Sequence, residues 1–236
     1  MTDLLVPHRF RGPARSGNGG FTAGALAALL EGEPLGRTVR VTLRQPPPLD
    51  TPMAVTDGVA VDHAGAVVAA AEVVDEPLDP VEAVDPATAA AASASYAALQ
   101  RHPFPTCFAC GTAREPGDGL RIFPGRVDDA DDRARVAAAW TPDRSVAGDL
   151  FAVAWAALDC VGGWTSDLED RPMVLGRMTA RIDAVPEPGT PYVVVGGARG
   201  EDGRKVHTAS TLWHPDGSAI GVAAHTWITV DPDSFN

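Results

Sequence analysis

Lysine is almost missing from this chain: Lys205 is the only one, and every other basic side chain is an arginine. Positive charge as a whole is in deficit, with Lys+Arg 19 against Asp+Glu 31 and a net charge of −12. That balance leaves no broad basic face for nucleic acid or anionic lipid, so neither is expected as a partner. A local patch of arginines for a phosphorylated ligand stays open. Long apolar runs are also lacking, and none reaches the roughly 18 residues of a membrane span. The N-terminal MTDLLVPHRF has no basic region followed by an apolar one, so no signal peptide is read and a cytoplasmic location is expected. Cysteine is scarce and odd in number, Cys107, Cys110 and Cys160, which excludes a disulfide framework. No G-x-S-x-G occurs, which excludes a serine hydrolase of the α/β type, and no phosphate-binding G-x-x-x-x-G-K-[ST] occurs.

What stands out instead is Gly148 to Trp164, GDLFAVAWAALDCVGGW. From Leu150 to Cys160 nearly every residue is apolar or alanine, the pattern of a helix buried on all sides. Asp149 suits the positive helix end, and Gly162-Gly163 reads as a stop. Asp159 does not belong. A carboxylate there loses hydration and lies near the negative helix end, and both effects raise its pKa. A carboxylate placed so unfavourably is a functional candidate. The bland alternative is an acid paired with a buried arginine, Arg177 or Arg181.

The rest of the chain reads in order around this helix. Asn18, a good N-cap, opens a second apolar helix, GGFTAGALAALL, expected near 18–30. Strands are expected at Thr38–Leu43, Met53–Asp62 and Ala66–Val74. Asp75 to Gln100 is acidic and Pro-rich, then Ala-rich from Pro86, and reads as a linker ending in a helix with little to bury. Cys107 to Gly119 reads as a loop, followed by strands at Leu120–Val127 and Arg133–Trp140. Four more follow the central helix: Met173–Val185, Tyr192–Ala198, Lys205–Trp213 and Ala219–Val230. Asp202-Gly203 and Asp216-Gly217 mark hairpin turns between them. An internal repeat emerges on overlaying GGFTAGALAAL and GDLFAVAWAAL. Thr51-Pro52 then matches Thr190-Pro191, and Asp62-His63-Ala64-Gly65 matches His214-Pro215-Asp216-Gly217. Leu30 stands in the first copy where Asp159 stands in the second.

A buried helix followed by antiparallel strands, given twice, resembles the double hot-dog fold. GNGGFTAGALAALL with TVRVTLRQPPPLDTP is similar to the first half of type II acyl-CoA thioesterases. CFACGTAREPGDGL, VAAAWTPD and AALDCVGGW resemble single hot-dog thioesterases of the phenylacetate-pathway type. The resemblance implies an α+β double hot-dog, with a degenerate first repeat over 1–74, a linker helix over 75–100 and a second repeat over 101–236. It implies an enzyme that hydrolyses acyl-CoA or a related acyl thioester, compatible with a homo-oligomer and needing no cofactor. Asp159 falls at the family acid, as general base or nucleophile. His225, in GVAAHTWI, falls where a polar residue holds the attacking water. Asn18 stands where many relatives have histidine.

Other residues take roles on this reading. The helix N-terminus at Gly19 and Gly20 offers free N–H groups for the thioester carbonyl, Gly20 acting as oxyanion donor and Asn18 and Gly19 lining the substrate. Arg177, Arg199 and Arg204 are candidates for CoA phosphates. The alternative is a hot-dog that binds an acyl thioester or lipid without turnover. Cys107 and Cys110 are half a zinc site; His102 could add a third ligand, but no second pair has the spacing, so no metal is expected. Cys160 reads as a small buried hydrophobe on a different helix face from Asp159. Asp202 and His207 match a hydratase spacing by chance, on a hairpin rather than a helix start.

Overall fold

The structure, a computed structural model, describes residues 2–131 and 133–231. Its strands are β1 (Thr2–Leu4), β2 (Thr38–Leu43), β3 (Met53–Thr56), β4 (Val59–Val61), β5 (Val67–Val73), β6 (Gly125–Ala130), β7 (Arg133–Trp140), β8 (Met173–Ile182), β9 (Tyr192–Asp202), β10 (Lys205–Trp213) and β11 (Ala219–Thr229). Its α-helices are α1 (Gly19–Ala27), α2 (Pro86–Ala94) and α3 (Leu150–Gly163). The strands form one antiparallel sheet in the order β1-β3-β4-β5-β2-β8-β11-β10-β9-β7-β6. α1 packs on β2, β5 and β8, and α3 packs on β7 to β11. The two halves meet where β2 pairs with β8, Thr38 opposite Arg181 through Thr42 opposite Arg177. This is the expected double hot-dog, two helix-and-sheet units joined edge to edge.

The helices touch because glycine lets them. A Cβ on Gly20 would stand 2.7 Å from the Trp155 carbonyl oxygen, and one on Gly24 would stand 2.8 Å from Ala152 Cα. The Gly20-x-x-x-Gly24 face of α1 therefore lies directly on the backbone of α3. At the other end α3 finishes on the glycine pair, Gly163 being its last residue and Trp164 its cap. The pair also serves packing: a Cβ on Gly162 would meet Thr208 Oγ1 at 2.5 Å and His225 Nδ1 at 2.8 Å.

Three other expectations change. Met53–Asp62 is two strands, because Asp57 (φ 48°) and Gly58 (φ 76°) both take the left-handed conformation of a tight hairpin turn. Leu120–Pro124 is irregular, and β6 starts only at Gly125. The segment before α2 is also not free of core. Val81 is buried, its N–H donates to Thr211 Oγ1 (2.8 Å) and its carbonyl accepts from Trp213 Nε1 (3.2 Å). Val81 and Ala89 cover Ala137, Val193, Val195 and Ala209 in a small second core. Val194, between the two valines, belongs to the main core with α3. Both faces of β9 are thus covered, which explains its unbroken YVVV start.

Candidate active site

Asp159 sits on α3 where the helix crosses the N-terminus of α1, and only 2% of its surface is exposed. Asn18 caps α1: its Oδ1 accepts from the Phe21 N–H at 2.8 Å. Its Nδ2 is thereby turned toward α3 and donates to Asp159 Oδ2 at 3.0 Å. The Gly20 N–H donates to the same oxygen at 2.9 Å. One carboxylate oxygen thus takes two donors from the other repeat's helix start, while Oδ1 is buried with no hydrogen-bond partner. Burial is the main force on the group and raises its pKa to about 7, against the Gly20 and Asn18 donors, which lower it.

The arginine alternative does not hold. Arg177 donates from Nε to Thr42 Oγ1 at 3.1 Å, and Arg181 pairs with Asp183 at 3.1 Å. Among the described residues Asp159 is a buried carboxyl with no ion-pair partner.

The Gly20 N–H is already given to Asp159, so it is not the free donor expected from the sequence. Gly19, the first residue of α1, has an N–H with no hydrogen-bond partner among the described residues. Gly19 also lines a largely apolar cleft of about 290 Å³ with Gly17, Leu43, Pro47, Leu175 and Ile228. Of the three arginines proposed for a phosphorylated ligand, only Arg204 lines this cleft, together with Arg44, which sequence reading did not single out. Arg177 lies on β8 against Thr42, outside the residues that line it, and Arg199 lies near Asp79 and Arg133 on β9.

The structure does not bring His225 to Asp159. The imidazole lies on the sheet side of α3, against Gly162, with Nδ1 3.1 Å from Thr208 Oγ1 and Nε2 buried without a partner. Burial lowers its pKa to about 4, so the ring is neutral. Gly162 lies nearly a full turn further along α3 than Asp159, and His225 packs there against Thr208 and the end of the helix, while Asp159 meets the start of α1.

The three cysteines also differ from expectation. Cys160 Sγ lies 3.6 Å from Cys107 Sγ, and all three sulfurs are within 4.8 Å of one another. Hydrogen bonding from the Cys110 and Cys160 thiols holds Cys107 well below the ordinary thiol value, while burial pushes Cys110 up and the Cys107 neighbour pushes Cys160 up. His102 is not the third member. Its Nδ1 accepts from the Phe104 N–H at 2.9 Å, which leaves its proton on Nε2, facing the Cys110 carbonyl at 3.1 Å. The sequence offered no signal for Cys160 joining the pair, since it lies some 50 residues along the chain. Nor did it mark Arg114, which is buried and holds the cysteine loop by donating to the carbonyls of Thr106 (2.8 Å) and Arg9 (2.6 Å).

No protein-family model matches this chain, and no curated protein is similar to it in sequence. Solved structures do resemble it. A hot-dog protein of unknown function from Alicyclobacillus acidocaldarius aligns with a TM-score of 0.60 at 14% identity, over 98% of this chain and 93% of that one. A tesB protein from Mycobacterium avium subsp. paratuberculosis aligns at 0.57 and 14%, over 97% and 91%. An acyl-CoA thioesterase II from Mycobacterium marinum aligns at 0.56 and 11%, over 93% and 92%. At these identities the likeness shows the fold: this chain is a hot-dog protein over nearly its whole length.

Proposed function

We propose that this hot-dog protein hydrolyses acyl thioesters, acyl-CoA being the first class to test, with Asp159 as the group that activates water or attacks the thioester carbonyl. One observation carries the reading: a carboxyl buried without a cation, bonded to the N-terminus of the opposing helix, with its second oxygen unpartnered. A general base needs a basic oxygen kept away from bulk water, and Oδ1 meets that description. The thioester enters through the apolar cleft, and its carbonyl oxygen rests on the Gly19 N–H at the positive end of α1. Negative charge forming on that oxygen is stabilised there, and the thiol leaves through the cleft. Arg44 and Arg204 meet the phosphates of the CoA tail. The name acyl-CoA thioesterase II carried by the Mycobacterium marinum structure of this fold agrees with the reading.

A second reading is a protein that binds acyl thioesters or lipids without turnover. It is favoured by one observation, that Asp159 Oδ2 takes the Gly20 N–H that would otherwise help hold the carbonyl. The two are separated by following thiol release from a panel of acyl-CoAs of varied length and aromaticity, for the parent and for Asp159→Asn. Hydrolysis predicts turnover by the parent and a loss in kcat of about two to four orders of magnitude in the cooperatively folded variant. A variant that hydrolyses at the parent rate removes Asp159 from the mechanism. A parent that binds acyl-CoA by calorimetry yet releases no thiol over hours establishes the binding protein.

A further inference from the structure

The hydrolytic reading leaves three thiols unused beside its carboxyl. Cys107 and Cys110 come from the loop before β6, and Cys160 comes from the last turns of α3. Their sulfurs lie within 4.8 Å of one another, and the Cys107 and Cys160 sulfurs are 3.6 Å apart. Three sulfurs bound at ~2.3 Å to one tetrahedral zinc stand about 3.8 Å from each other. The observed triangle lies within about an ångström of that arrangement at each side.

We propose that Cys107, Cys110 and Cys160 form a site for one thiophilic metal ion of the Zn²⁺ class, tying the cysteine loop to the end of α3. The donor set is all sulfur, which selects zinc or copper(I) over magnesium or calcium. Its frame is held independently of any ion. The Cys107 N–H donates to the Phe104 carbonyl at 2.9 Å, and the Gly111 N–H to the Cys107 carbonyl at 2.9 Å. The Phe108 N–H reaches back to the Arg11 carbonyl at 2.7 Å. The turn between the two loop cysteines is tight enough that a Cβ on Gly111 would stand 2.5 Å from the Cys107 carbonyl oxygen. The surroundings suit thiolates as well. Asn18 Nδ2 approaches Cys107 Sγ at 3.8 Å and Cys160 Sγ at 3.9 Å. Outer-shell donors of this kind orient metal-bound sulfur. Cys107 and Cys110 are buried and Cys160 is half-buried; three sulfur ligands leave the fourth position of a tetrahedral ion for water. Sequence spacing alone argues against a metal because it supplies two sulfurs; the fold supplies the third.

The test uses the full chain, reduced and freed of metal, and reads metal binding rather than activity, so it stands or falls apart from the hydrolytic reading. Titration with Co²⁺ is expected to saturate at one ion per chain, with thiolate-to-cobalt charge-transfer absorption and the strong visible bands of a tetrahedral site. Zn²⁺ should displace it and slow alkylation of the three thiols at least tenfold. Cys160→Ser should weaken Co²⁺ binding at least tenfold and lower the charge-transfer intensity by about one third, as one of three sulfurs is lost. A reduced, folded parent with no thiolate–cobalt band overturns the proposal. So does a Cys160→Ser protein that binds as tightly as the parent, or peptide mass analysis of protein prepared without reductant that finds two of the three joined as a disulfide and no metal. Should Cys160→Ser fail to fold, the alkylation rates of the parent with and without Zn²⁺ decide: equal rates end the idea.

Discussion

His225 allows a sharp test of where the buried polar groups stand. The Trp227 indole N–H donates to Thr208 Oγ1 at 3.0 Å, which frees the Thr208 hydroxyl hydrogen to point at His225 Nδ1, 3.1 Å away. The imidazole proton then sits on Nε2, buried and without an acceptor. A second proton would put a charge in a buried pocket where only the backbone of Thr208 and Leu158 favours it, and burial outweighs both, lowering the pKa from 6.5 to about 4. Between those values the unfolded chain binds more protons than the folded one, so stability falls as pH falls. Moving the group from 6.5 to about 4 amounts to about 3 kcal/mol, fully present above pH 6.5 and lost once the pH has passed below about 4. His225→Asn keeps a polar atom near the Nδ1 position and cannot titrate in this range. Urea unfolding of parent and variant from pH 8 to pH 4 should show the parent's advantage shrinking by about 3 kcal/mol toward acid, or roughly 6–12 °C in Tm. A difference independent of pH would mean that the folded ring is solvated or paired, and the reasoning would fail.

Asp159→Asn should hold or raise stability at neutral pH, because a neutral amide replaces a carboxyl that has no cation to strand; a loss of roughly 3–5 kcal/mol by denaturant titration would instead reveal a hidden ion pair. Gly20→Ala should destabilise by about 1–3 kcal/mol or more, since the new Cβ would stand 2.5 Å from Asp159 Cβ and 2.7 Å from a backbone oxygen; an unchanged Tm would contradict the close helix crossing. Val81→Ala should cost about 2 kcal/mol by the same measurement, and replacing Glu76 to Glu82 with Gly/Ser residues should cost at least as much, because the stretch carries Val81 into the second core. Retained stability in both would return that segment to the status of a free linker.

Periodicity and composition alone determined a good deal. The two helices are marked by apolar runs too dense for a surface helix, and Asn18 as the cap of α1 is local chemistry, a side chain bonding a backbone N–H three residues on. Strands β7 and β10 match the expected ranges residue for residue, because alternation and the flanking turns are also local signals. Asp159 is legible for a related reason: one charge in an apolar run is an anomaly that needs no partner to be noticed. What surrounds it is not legible. The Gly20 N–H that binds Asp159 is 139 residues away, Cys160 meets Cys107 across 53, and Val81 bonds Thr211 across 130. Such meetings depend on how closely two helices cross and on which face of a strand turns inward, and no local preference encodes either. The glycine pair makes the same point. Gly162-Gly163 has the local form of a helix stop, and α3 ends there, but that the sheet side chains of Thr208 and His225 also need the room a Cβ would take is settled only by the packing. His225 and Asp159 both looked like site residues in the sequence; only the tertiary packing decided that Asp159 meets the opposing helix while His225 lies on the sheet against Thr208 and Gly162, because the point at which a strand passes a helix is not encoded locally.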